Sequence, residues 1–75
     1  MTPRQARLFT KLAATRNIAV ELIEYTPAFS FGKRTHGVLI PAIVDVEVLL
    51  DDYCEHTGHI DHFAVDVLKS RMVVY

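Results

Sequence analysis

Apolar positions in this chain alternate between the helical period and the strand period. Leu8, Phe9, Leu12 and Ala13 recur at helical spacing and form one stripe. Ahead of them, Thr2-Pro3-Arg4-Gln5 is a helix start. Thr2 caps, Pro3 suits the first helical position, and Gln5 completes a Thr-x-x-Gln capping box. Asn17 tolerates the left-handed conformation that ends helices. The pattern predicts a first helix over 3–16. Ile18 to Tyr25 is rich in β-branched and aromatic residues and stops at Thr26-Pro27, which predicts a strand. Phe29-Ser30-Phe31 alternates like a further short strand, Gly32-Lys33-Arg34-Thr35 suits a turn, and His36 to Ile40 reads as the returning strand. Pro41 has no N–H for a ladder, so pairing is expected to end there.

Val46, Leu49, Leu50, Tyr53 and Cys54 fall at i, i+3, i+4, i+7 and i+8. They predict an amphipathic second helix over about 43–57, closed by Gly58. The C-terminal stretch from Asp61 onward admits two readings. Asp61 could cap a short helix with Phe63, Ala64, Val67 and Leu68 on its face. Alternatively Phe63, Val65 and Val67 share one face of a strand that bends at Lys69-Ser70. Four valines between 65 and 74 favour the strand. Met72 to Tyr75 reads as a strand in both. The order α-β-β-α-β(β) implies an α+β fold, with two amphipathic helices packed on one face of a small, mainly antiparallel sheet.

At 75 residues the chain is expected to form one domain over 1–75. That is too short for a two-domain enzyme or a cofactor fold with a core of ~150 residues. Half its residues are apolar (51%) and its mean hydropathy is +0.21. A domain this small buries only about 60–65% of its unfolded surface, so some apolar area stays outside and tends to meet a partner. A homodimer or a stable complex is expected, with Met72 and Tyr75 contributing at a sheet edge. The single cysteine, Cys54, forms no intrachain disulfide, which suits a reducing, cytoplasmic setting. The stretch from Met1 to Asn17 carries four basic side chains and no apolar run of signal-peptide length, and the longest apolar stretch, Val38 to Val44, contains Pro41. Neither a secretory signal nor a membrane partner is expected. Small phage, plasmid and bacterial accessory proteins share this general character.

Charge is sorted along the chain. Residues 1–40 hold six basic and two acidic side chains; residues 41–75 hold two basic and seven acidic. The second helix sets Glu47, Asp51 and Glu55 at i, i+4 and i+8 with Asp52 beside them. Such like-charge neighbours cost about 0.2–0.5 kcal/mol per pair. This face is matched by Arg4, Arg7 and Lys11 of the first helix, is kept for a basic partner surface, or is plain solvated surface.

Two other clusters carry candidate chemistry. Cys54, His56, His59, Asp61 and His62 are metal-ligating types, and His56, His59 and His62 are the candidate ligands. Their spacing matches no zinc motif, and Cys54 reads instead as a small buried core residue. Phe29-Ser30-Phe31-Gly32-Lys33-Arg34 interleaves aromatics with cations, the composition of single-strand binders. The plainer reading puts both phenylalanines in the core and Lys33-Arg34 at an exposed turn. No nucleophile–base motif is present. The expected function is a small non-enzymatic protein-binding module, a regulator or inhibitor that needs no cofactor. Its contact face would be Glu47, Asp51, Asp52 and Glu55. A nucleic-acid binder using Arg4, Arg7, Lys11, Lys33 and Arg34, and a metal-binding domain at the histidines, are the alternatives. The net charge of −1 weighs against nucleic acid as a partner.

Overall fold

Thr2 lies in extended backbone and accepts from the Gln5 N–H at 3.1 Å, while the Gln5 side chain accepts from the Thr2 N–H at 2.7 Å. The capping box thus satisfies two end donors reciprocally and starts α1, Pro3–Thr15. Its end is equally specified. Asn17 takes φ 60°, the Ile18 N–H reaches the Ala13 carbonyl and the Asn17 N–H reaches that of Ala14. This is the paired-bond helix stop that usually places glycine where Asn17 stands. In the computed structural model, which describes residues 1–58 and 61–75, the chain then forms β1 (Glu21–Tyr25), β2 (Thr35–Pro41), α2 (Val46–Thr57), β3 (Val65–Leu68) and β4 (Arg71–Val74).

The four strands form one antiparallel sheet in the order β1-β2-β4-β3. Both helices pack on one face of it, as the α+β reading requires. Register puts Val38 opposite Val74 and Ile40 opposite Met72, and these four point at the helices. Against them sit Ala6, Phe9 and Ala13 of α1 and Leu49 and Tyr53 of α2, all buried. Phe9 and Tyr53 meet at 6.3 Å between ring centroids, and Phe63 meets Tyr53 edge-on at 5.1 Å. Such aromatic pairs add about 0.5–1.5 kcal/mol beyond their burial. In the central strand Gly37 is required: a Cβ there would lie 2.9 Å from the Val74 carbonyl oxygen.

Several boundaries differ from the sequence pattern. α2 begins three residues late, at Val46, because Asp45 caps it by accepting from the Glu47 N–H at 3.1 Å. Ile43 and Val44, which continue the apolar pattern, belong to a turn closed from the Val44 N–H to the Pro41 carbonyl, and Ile43 is 97% exposed. Gly58 ends α2 at φ 76°, as its placement predicts. Residues 65–68 form a strand, and the two-residue turn Lys69-Ser70 leads into β4. Met72 is buried in a central strand, and Tyr75 follows the same strand, so neither lies at a sheet edge. Phe29-Ser30-Phe31 forms no strand. Those residues belong to a nine-residue loop, 26–34, and both rings stand outside the core.

Candidate interaction site

On α2, burial of Leu49 and Tyr53 turns Glu47, Asp51 and Glu55 to the exposed side, four residues apart. Asp52 is angled instead toward the end of α1. There Arg16 donates from Nε to Asp52 Oδ2 and from Nη2 to Oδ1, the latter at 2.8 Å. A two-pronged guanidinium–carboxylate pair has strong directional preference. Its hydrogen bond holds the Asp52 carboxyl below the ordinary aspartate range and raises the Arg16 guanidinium. The charge link between the helices is therefore made by Arg16 and Asp52, not by Arg4, Arg7 or Lys11. Among the described residues the other ion pairs are Arg34–Glu24 at 3.0 Å and Arg71–Glu21 at 3.3 Å. Glu47, Asp51 and Glu55 belong to none of the three.

Arg4, Arg7 and Lys11 are exposed along α1, and Lys33 and Arg34 are exposed in the β1–β2 loop. The start of α1 is tied to the start of β2: the Met1 ammonium donates to Thr35 Oγ1 at 3.2 Å and to the His36 carbonyl at 3.3 Å. Arg4 and the Lys33-Arg34 turn therefore share one end of the molecule, with the Arg34 charge already faced by Glu24.

His56 is exposed in the last turn of α2, and His62 is exposed beyond it. His59 lies outside the described residues, so the His56–His59–His62 cluster is not placed as a whole. Among the described residues no three His, Cys, Asp or Glu side chains are grouped to hold a metal ion. Cys54 is half-buried rather than buried, since it flanks the core face marked by Leu49 and Tyr53.

Two features lie outside what the apolar pattern predicts. On the helix-free face, Tyr25 and Tyr75 pack their rings 5.2 Å apart, and both hydroxyls donate to the Asp66 carboxylate, at 2.6 and 3.2 Å. The Tyr25 hydroxyl is pushed up to about 12, first by the hydrogen bond to Asp66 and then by burial. Tyr75 is raised by burial first and by Asp66 second. The second feature is the β1–β2 loop. Phe29 is 94% exposed and Phe31 101%. The sequence favours their burial, but the turns that form the loop lift them away from the sheet. Ser30 N–H and Oγ–H both donate to the Pro27 carbonyl, at 3.1 and 2.7 Å, and the Lys33 N–H donates to the Ser30 carbonyl at 3.1 Å. Phe31 and Gly32, the central pair of that second turn, have φ 54° and 80°. Positive φ at both central positions marks the mirror-image turn that normally takes Asn-Gly.

No family model, curated protein or solved structure matches this chain.

Proposed function

We propose that the chain is a small non-enzymatic protein-binding module that acts by occupying a basic surface on a partner, with the exposed face of α2 as its contact. The supporting observation is that Glu47, Asp51 and Glu55 are exposed and outside the three ion pairs among the described residues, while Arg16, whose charge also reaches Glu55, is taken by Asp52. A charge ladder that costs the isolated helix and forms no ion pair among the described residues suits complementarity with another molecule, which raises association rate and selectivity. Asp52 is then a helix-to-helix anchor at the border of this face rather than part of it.

Reversal of one charge tests the reading through two opposed outcomes. Asp51→Lys creates i, i+4 pairs with Glu47 and Glu55, each adding about 0.2–0.5 kcal/mol, so thermal denaturation should occur slightly above wild type. The same variant should lose the basic proteins that wild type captures from nuclease-treated lysate. A lower melting temperature restored by Lys11→Glu would assign the face to α1 instead. Equal capture by both proteins would reject the contact.

A further inference from the structure

We propose that the tip of the β1–β2 loop, residues 27–32, seats on an anionic lipid surface, with Phe29 and Phe31 entering the boundary between headgroups and acyl chains. No helix of the described residues is long and apolar enough to cross a membrane, and a loop that dips into one leaflet needs no such helix.

The composition of the tip carries the argument. Pro27-Ala28-Phe29-Ser30-Phe31-Gly32 contains no charged side chain. Its one hydroxyl, on Ser30, is turned inward to the Pro27 carbonyl, and the Ser30 N–H is spent on the same oxygen. Polar groups are thus folded back while two rings project almost wholly into solvent. The fold gains nothing from the second ring: it makes no packing contact with the core and sits at a φ that bulky residues disfavour. The first charges after the tip along the chain are both positive, Lys33 and Arg34; the first before it is Glu24, and the Asp66 carboxylate, held by Tyr25 and Tyr75, lies at the base of the loop beside Pro27 and Ser30. Glu24 faces Arg34, which leaves Lys33 among the described residues as the cation outside an ion pair immediately behind the rings. Apolar side chains ahead of a cation are the arrangement that an anionic interface rewards. A single-stranded nucleic acid would need a longer row of phosphate contacts than this turn presents. The acidic face of α2 is a separate surface, and neither reading requires the other.

The chain has no tryptophan, so Phe31→Trp supplies a background-free probe. With an excess of mixed phosphatidylcholine–phosphatidylserine vesicles, its emission should shift to the blue and be quenched by brominated acyl chains. Vesicles of phosphatidylcholine alone should give a smaller change, and high salt, which shortens the reach of the lipid charge, should weaken binding several-fold. In sedimentation with the mixed vesicles, Phe29→Ser and Phe31→Asn should each lower partitioning about tenfold, the scale of one phenyl ring withdrawn from an apolar phase. Phe31→Asn relaxes the turn, so it should melt at or above the wild-type temperature, which separates lost binding from lost folding. Unchanged emission on the anionic vesicles would overturn the proposal, as would wild-type sedimentation of Phe31→Asn. A response to a short oligothymidine without a response to vesicles would assign the loop to nucleic acid instead.

Discussion

Tyr25 lies 41 residues from Asp66 in the chain, yet with Tyr75 they form one hydrogen-bonded group on the helix-free face of the sheet. Strand alternation alone could not unite them, because it says which residues share a face only after the strand order is known. The group has a defined alkaline signature. An unfolded tyrosine ionises near 10, whereas Tyr25 in the fold is pushed up to about 12. Below pH 10 both states keep the proton, and the contribution to stability is constant. Between 10 and 12 the unfolded chain releases a proton that the fold retains, so stability falls as the pH rises. Melting temperatures recorded across that alkaline window should decline in wild type and decline less steeply in Tyr25→Phe. The slope should not vanish, since Tyr75 is raised as well. Identical slopes would mean that the Tyr25 hydroxyl does not hold its proton in the fold.

The elements are legible where local chemistry decides them. Thr2, Pro3, Gln5 and Asn17 specify both ends of α1 without reference to any distant residue, and Gly58 does the same for the end of α2. Thr2→Ala should therefore cost about 1 kcal/mol, read as a fall in melting temperature of roughly 4–8 °C for a domain of this size. A change within experimental error would show that tertiary packing, not the cap, fixes this helix end. Legibility fails where one pattern serves two structures. Ile43 and Val44 extend the apolar periodicity of α2, but Asp45 competes for the helix start and wins by capping. Phe29-Ser30-Phe31 alternates as a strand would, but Pro27 and Gly32 bracket it with turns. The ionic link between the helices joins Arg16 to Asp52 across a long stretch of chain, and periodicity cannot say which of several cations reaches a given carboxylate. The acidic ladder is visible in the sequence; that Asp52 leaves it for Arg16 is not.

At the scale of the whole molecule, a chain with basic and acidic halves folds so that the halves lie side by side, joined by an ion pair between the helices and by Arg71–Glu21 across the sheet. The sheet order completes this mixing, since β2 from the basic half and β4 from the acidic half are its two central strands. The first residue also meets the last: the Met1 ammonium donates to the Tyr75 carbonyl at 2.7 Å, and burial lowers its pKa. Residues 1 and 75 are thus adjacent in space, close enough for a short spacer to join them. A permuted gene that joins Tyr75 to Met1 through a short Gly-Ser spacer and opens between Phe31 and Gly32 preserves all six elements and every strand neighbour. Its product should unfold in a single cooperative transition with the circular dichroism of the original order. A broad, gradual melt would show that the covalent continuity of the β1–β2 hairpin is needed for assembly of the sheet.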